Sequence, residues 1–379
     1  MSFLDEVKQL AFKTQLKYKT RKKKITKVLG KMEYKYREDA PRMSRRKKAL
    51  EEAAEERKFT AGAVQMQWEL IKEPETFVAD MYYRVFEASR EDVHLLVFPE
   101  DMGLQLLGLI PNIEEMAGGL LAEGDEADGG EGGRDSSFRD LFQELIGFMT
   151  PIILHLYLQT FRRLARRFQM YIMGGSLLIR GREGLIYNRA YLFGPEGNVI
   201  GYQDKLHLLP IEAGWGVSQG RELKAYNTPL GRIAFPICMD ATYFETFRIM
   251  EKMGVEVVLL PTANPEEYNF WKALRGIWPR IQESSLFGIK STMVGKFLGM
   301  SFTGKAGFYG PRGLTVVRDG IIAETDSYDR DQLLVAEIDL NLLARFRAEE
   351  SGKGELQEEV IARYLPQLYD NGGEDTEEG

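Results

Sequence analysis

Apolar and polar positions along this chain alternate between two periods from about residue 59 to residue 340, and the period changes often. Residues 59–66 alternate as a strand, residues 77–90 repeat at helical spacing, and residues 94–98 form a short apolar strand that ends at Pro99-Glu100-Asp101. The strand period resumes at 171–176 and 186–193, runs into the turn signal Gly194-Pro195-Glu196-Gly197-Asn198, and continues as a strand at 199–202. Residues 231–237 are a further apolar strand, opened by a turn at Pro229-Leu230-Gly231. Phe244, Phe247, Met250 and Met253 then fall on one helical face, and residues 255–260 read as another buried strand. A helix over 271–286, strands over 288–295 and 333–338, and a hairpin centred on Asp319-Gly320 complete the series. Strands that alternate with helices in this way predict an α/β fold.

The flanks have a different pattern. Leu4, Val7, Ala11, Thr14, Tyr18, Arg21, Ile25, Val28 and Met32 draw one stripe along a helix, interrupted by Thr14 and Arg21 and carrying Arg21-Lys22-Lys23-Lys24 between its apolar members. Its first reading is a solvated helix that packs weakly on its own body or on a partner subunit. A polybasic surface for an anionic membrane is the sharper alternative. Arg45-Arg46-Lys47-Lys48, followed by Glu51, Glu52, Glu55 and Glu56, reads as a charged helical linker. The division expected is therefore a basic helical extension at 1–58, a globular domain at 59–345 and an acidic tail at 346–379 that frays after Tyr369. Within the domain, residues 112–137 are rich in glycine and acid and read as a mobile surface insertion. Residues 141–158 are densely apolar around Pro151 and predict a buried helix or a subunit interface.

Charge sharpens this division. Residues 1–58 carry 19 Lys and Arg against 9 Asp and Glu, a balance of +10 that leaves −17 on the remainder of a chain whose net charge is −7. The body is acidic and the basic run belongs to no recognised module, so nucleic-acid binding is disfavoured. No stretch reaches about 18 uninterrupted apolar residues, and the start lacks a secretory pattern, so the expected location is cytoplasmic, with peripheral membrane contact through residues 1–58 left open. A single cysteine excludes an intramolecular disulfide framework and any multi-cysteine zinc cluster. His94, His155 and His207 lie far apart without metal-ligand spacing. No metal and no cofactor is expected.

That one cysteine, Cys238, stands at the end of the 231–237 strand and before a helix, where open α/β sheets place their chemistry. Taken alone it reads first as a small buried apolar residue. Glu100 also follows a strand and reads first as a helix cap. Lys205, set in the apolar phrase Lys205-Leu206-His207-Leu208-Leu209-Pro210-Ile211-Glu212, reads first as a side chain that snorkels to solvent.

Together the three phrases say more. Val97-Phe98-Pro99-Glu100, the phrase from Lys205 to Glu212, and Ile237-Cys238-Met239-Asp240 resemble, in order and spacing, the three catalytic motifs of the nitrilase, or carbon-nitrogen hydrolase, superfamily. The resemblance runs from Phe59 to Arg345 and takes in Gly175-Ser176, Tyr187-Asn188 and Ala336-Glu337-Ile338-Asp339-Leu340. It implies an α-β-β-α sandwich, here with an N-terminal helical extension, and a homodimer or larger homo-oligomer. It also implies that Cys238 is the nucleophile, Glu100 the general base and acid, and Lys205 the oxyanion partner alongside the backbone N–H of Met239. Glu212 would position Lys205 and the substrate. A thiol of ordinary pKa, about 8.5, is mostly protonated at neutral pH, so a base beside it is a chemical necessity.

Asp240 resembles the amidase and carbamoylase branches, whereas nitrilases carry Trp-Glu after the cysteine, and Met239 stands where the family often has an aromatic. The expected activity is hydrolysis of a small carboxamide or N-carbamoyl amine through a cysteine thioester, with release of ammonia. An acyltransferase or a nitrilase using the same triad is the alternative within that chemistry. A membrane-surface or partner-binding scaffold is the alternative outside it.

Overall fold

The computed structural model describes residues 3–114, 136–273, 275–297, 299–350 and 357–369. Most of the acidic insertion and the end of the tail lie outside the described residues. The order of strands follows from how β1 (Lys58–Gln67) divides its edge. Residues 61–63 pair in parallel with β2 (Leu95–Val97), whereas residues 65–67 pair in parallel with β9 (Phe287–Phe297). Thr60 and Trp68 are eight residues apart and so point the same way, and their backbone bonds to His94 and Val294 place β2 and β9 on the same edge. The opposite edge pairs antiparallel with β13 (Gln332–Asp339).

Two sheets grow from this fork. The first continues from β2 through β3 (Tyr171–Arg180), β4 (Ile186–Phe193) and β5 (Val199–Asp204). The second runs from β9 through β8 (Val257–Ala263) and β7 (Gly231–Ala234) to β6 (Tyr226–Thr228). On the other edge of β9 stand β11 (Gly307–Tyr309) and then β12 (Ile321–Glu324), and β10 (Met300–Phe302) turns back on the end of β9. Alternate side chains of both sheets meet in one layer: Phe59, Ala61, Leu95 and Val97 face Ile233, Val257, Leu259 and Ile289. The expected hairpin has β11 and β12 as its arms, but residues 310–320 separate them, and Asp319-Gly320 forms only the final turn.

Helices cover both outer faces. α1 (Phe3–Lys35) packs on α3 (Pro74–Arg90) and α4 (Ser136–Phe168), which lie on the first sheet, while α2 (Met43–Glu56) packs beside β1 with Leu50 and Ala53 in the layer between the sheets. The short α5 (Pro210–Gly214) follows β5. On the second sheet lie α6 (Phe244–Lys252), α7 (Phe270–Ala273) and α8 (Ile277–Ser284), where Phe247, Met250, Ile277 and Ile281 pack on Ala234, Val258 and Leu260. The expected single helix over 271–286 is therefore two, divided around Gly276, with Pro279 in the first turn of the second, where a missing N–H costs no hydrogen bond. After β13 come α9 (Leu340–Glu350) and α10 (Glu358–Tyr369). The result is the α-β-β-α sandwich, class α/β, with a helical N-terminal addition.

The N-terminal helix packs on its own body. Tyr18, Ile25 and Leu29 are buried in the same cluster as α3 and α4, and Tyr36 sits 4.7 Å from the Phe86 ring. In the segment read as a linker, Arg46 is 1% exposed; its guanidinium donates to the carbonyls of Val93 and, at 3.2 Å, Phe168. Charge composition hid this anchor. By length and composition α4 could cross a membrane, but Ile146, Met149, Ile153, Leu156 and Tyr157 are buried against the first sheet and its helices. The helix runs through Pro151, which lies on its exposed side.

One glycine matters for the site. Gly175 has φ +75°, and a Cβ there would stand 1.9 Å from the carbonyl oxygen of Pro99, just before Glu100. Gly175→Ala is expected to lower stability by about 2–4 kcal/mol in urea unfolding, from backbone strain and overlap together.

Candidate active site

Strand ends from both sheets deliver the site. Glu100 follows β2, ahead of Asp101, a non-glycine residue at φ +61°. Lys205 follows β5, and its N–H donates to the Asn188 carbonyl at 2.8 Å. Cys238 follows β7 at φ +46°, a conformation that costs an ordinary residue on the order of 1–3 kcal/mol and concentrates at functional turns. It opens a short 3-10 turn, Cys238–Thr242, whose first N–H groups have no carbonyl partner within the turn.

The structure brings Glu100, Lys205, Glu212 and Cys238 together. Lys205 Nζ lies 2.8 Å from Glu100 Oε1 and 2.7 Å from Glu212 Oε2. It is 1% exposed and does not snorkel; Glu100, also 1% exposed, caps no helix. Glu100 Oε2 accepts the Ala263 N–H at 2.9 Å, so the end of β8 holds the second carboxylate oxygen. Asn188 Nδ2 donates to both carboxylates, at 3.0 Å to Glu100 and 3.2 Å to Glu212. Glu212 also accepts the Leu209 N–H at 2.8 Å. Cys238 is close enough to Glu100 and Lys205 for their charges to act on its thiol, and its Sγ lies 3.6 Å from Asn264 Oδ1. Cys238 is half-buried and lines a cavity of about 250 Å³ with Met239, Thr262, Asn264 and Lys290. A smaller cavity is lined by Glu100, Lys205, Glu212, Trp215 and Phe302.

Electrostatics follow from this packing. Burial disfavours the Lys205 ammonium, but Glu100, Cys238 and Glu212 around it more than offset that cost and hold its pKa well above the ordinary lysine value. Burial raises the Glu100 carboxyl, Lys205 pulls it back and Glu212 pushes it up again, for a net rise. Burial and the neighbouring Glu100 carry the Cys238 thiol well above its usual range, against the pull of Lys205. The resting arrangement is a protonated thiol, a charged lysine and a carboxylate made more basic than usual.

Asp240 ties two of these loops together. Its Oδ2 accepts the Ile237 N–H at 2.8 Å, and its Oδ1 accepts Leu206 N–H at 3.0 Å and His207 N–H at 2.7 Å, with His207 Nδ1 at 3.1 Å. Asp240→Asn turns one acceptor into a donor facing these N–H groups. The expected loss is about 1–3 kcal/mol by urea unfolding, with a fall in kcat because the Lys205 and Cys238 loops lose their common anchor. Among the described residues no group of histidine, cysteine and acidic side chains is arranged to hold a metal ion.

Sequence reasoning named Asn188 only as part of a resemblance and missed the contributions of Ala263 N–H, Asn264 and Lys290. Ala263 acts through its backbone, which no side-chain pattern reports.

The fold and the four converging side chains define a class, and comparison with known proteins agrees with it. A family model described as carbon-nitrogen hydrolase matches residues 31–348, and the chain belongs to that family, within the nitrilase superfamily. A probable hydrolase of Bacillus subtilis, YhcX, is 30% identical over 197 residues, covering 50% of this chain and 38% of that protein. The omega-amidase NIT2 of Bos taurus is 28% identical over 113 residues, covering 28% of this chain and 41% of that protein. Each match thus spans less than half of the relative's own length. In fold, the chain is similar to the carbon-nitrogen hydrolase of Helicobacter pylori G27, with a TM-score of 0.60 at 19% identity over 83% of this chain and 99% of the other.

Proposed function

We propose that this protein is an amidase that hydrolyses the C–N bond of a small carboxamide or N-carbamoyl amine through a thioester on Cys238 and releases ammonia. The observation that carries this reading is the position of Glu100: one carboxylate oxygen on Lys205 and the other on the N–H of Ala263, the residue before Asn264, whose Oδ1 lies 3.6 Å from Cys238 Sγ. The names of relatives such as the omega-amidase agree with an amide over a nitrile.

In this reading Glu100 takes the thiol proton as sulfur attacks the carbonyl carbon. The carbonyl π pair moves to oxygen, and the oxyanion is met by Lys205 and the Met239 N–H. A preorganised donor of this kind supplies about 2.7–4 kcal/mol of transition-state stabilisation. The oxyanion collapses, the C–N bond breaks, and the proton held by Glu100 passes to the departing nitrogen, which leaves as ammonia. Water then enters, gives a proton to Glu100, and adds to the thioester carbon. The C–S bond breaks, the acid leaves, and Glu100 returns the proton to sulfur. Glu212 holds the Lys205 ammonium and exchanges no proton, because its Oε2 is already committed to Lys205 and the Leu209 N–H. The raised Glu100 pKa suits both halves of the cycle, since a stronger carboxylate base is matched better to a thiol and to an amine.

The test is ammonia release over a panel of linear carboxamides, N-carbamoyl amines and nitriles. Turnover of at least one amide or carbamoyl compound is expected, and silence across both groups would remove the reading.

A further inference from the structure

The N-terminal helix spends only one of its faces on the fold. Tyr18, Ile25 and Leu29 bury one side of α1 against α3 and α4. At about 100° per residue, Leu16, Lys27 and Tyr34 fall on the opposite side, with Phe12 on one flank of them and Lys13, Lys24 and Lys31 on the other. The exposures agree: Phe12 is 55%, Leu16 48% and Tyr34 68% exposed, and the four lysines are exposed as well. Among the described residues those lysines form no ion pair. In sequence, α1 carries 11 Lys and Arg against the 3 acids Asp5, Glu6 and Glu33, a balance of +8. A second helix extends the charge. Tyr18 meets the His155 ring of α4 at 6.1 Å, while Tyr36, just past α1, and Phe168, at the end of α4, both touch the Tyr82 ring. The two helices therefore run in the same direction, and the exposed Arg162, Arg163 and Arg166 of α4 come level with the stretch of α1 between Tyr18 and its end.

Phe12 and Leu16 are neighbours one turn apart, and with the lysines beside them they contribute nothing to the packing of α1. A face of this composition fits an occupant that is anionic at its surface and apolar beneath, which describes a bilayer with anionic headgroups. A nucleic acid would answer the lysines and leave Phe12 and Leu16 in water. A second copy docked face to face would set one basic helix against another, like charge on like charge. Residues 59–379 carry −17 and are repelled by the same lipids, so the basic helix is the part of the molecule turned toward them. We infer that α1 is a membrane-surface element that lies along an anionic bilayer, with Phe12, Leu16 and Tyr34 among the headgroups and Lys13, Lys24, Lys27 and Lys31 on their phosphates and carboxylates. The inference is independent of the amidase reading, and amide turnover does not enter its test.

The experiment sediments the full chain with vesicles of phosphatidylcholine containing about 30% phosphatidylserine, and with phosphatidylcholine vesicles alone, at about 0.1 M salt. Binding to the anionic vesicles is expected to be at least about tenfold tighter than to the neutral ones, and to weaken as salt is added. A lysine near such a surface multiplies binding about fivefold, so the triple variant Lys24→Gln, Lys27→Gln, Lys31→Gln is expected to lower it about 100-fold. Glutamate at the same three positions should lower it further. The double variant Phe12→Ser, Leu16→Ser is expected to lower it about tenfold while keeping the salt dependence. All five positions are exposed, so the urea midpoint of each variant should match that of the wild type, and glutamine keeps the helix propensity of lysine. No binding to the anionic vesicles, equal binding to both kinds, or variants that bind like the wild type would overturn the inference. Two further arms use the wild type and the same variants: sedimentation velocity without lipid, and titration with a fluorescent DNA duplex. Self-association that Phe12→Ser, Leu16→Ser abolishes, or duplex binding tighter than vesicle binding, would assign the face to that partner and overturn the membrane.

Discussion

Lys205→Met is expected to remove activity and stability together. Methionine fills nearly the same volume but leaves Glu100 and Glu212 facing one another without the ammonium that now lies 2.8 and 2.7 Å from them. Breaking a buried ion pair by removing one partner costs about 3–5 kcal/mol, because the remaining charge has no solvent to turn to. On the kinetic side the loss of an oxyanion donor costs about 10²–10³ in kcat. The stability deficit should depend on pH in a definite direction. Without Lys205 the folded-state pKa of Glu100 rises further above its unfolded value, so folding takes up a proton. The deficit is then largest at neutral pH and shrinks as the solution is made mildly acid, toward that raised pKa. Urea unfolding at the two pH values measures it. Adding Glu100→Gln to Lys205→Met should recover part of the stability and none of the activity, a non-additivity that marks two side chains in one network.

Cys238→Ala should separate what Lys205→Met confounds. The thiol makes one weak contact, 3.6 Å to Asn264 Oδ1, and the residue is half-buried at the edge of a cavity. Alanine keeps the same strained φ of +46°, so unfolding free energy is expected to change by less than about 1 kcal/mol. Amide turnover is expected to fall by about 10⁴ or more, the scale at which removal of a covalent nucleophile registers. A stable, well-folded and inactive Cys238→Ala beside an unstable and inactive Lys205→Met is the pattern of a nucleophile beside a buried charge that serves both chemistry and fold.

Much of this site was legible in the sequence, but only as a set. Glu100, Lys205 and Cys238 each have a commonplace explanation, and only the order of the three phrases carries the signal. The side chains that complete the geometry left weaker traces. Asn188 sits in the middle of a strand, where a polar residue reads as an interruption, although its amide spans both carboxylates. Lys290 has the same disguise. In the fold, strand and helix periods located most elements, whereas the division of β1 between two neighbours could not be read, because pairing partners are set by packing at long sequence distance. The basic N-terminal stretch misled in one respect. Arg46 sits in a run of like charges and yet is a buried anchor for two backbone carbonyls, since a guanidinium can be satisfied by carbonyls as well as by solvent.

The measurement that bears most directly on the proposal is mass spectrometry of protein quenched in acid during turnover of an amide substrate found by ammonia release. The account predicts that the acyl group, less its nitrogen, is found on the peptide carrying Cys238, and that Glu100→Gln, which slows the water step, increases or prolongs that adduct once it forms. Turnover with no acylated Cys238 under either condition, or acyl mass on another residue, would contradict it.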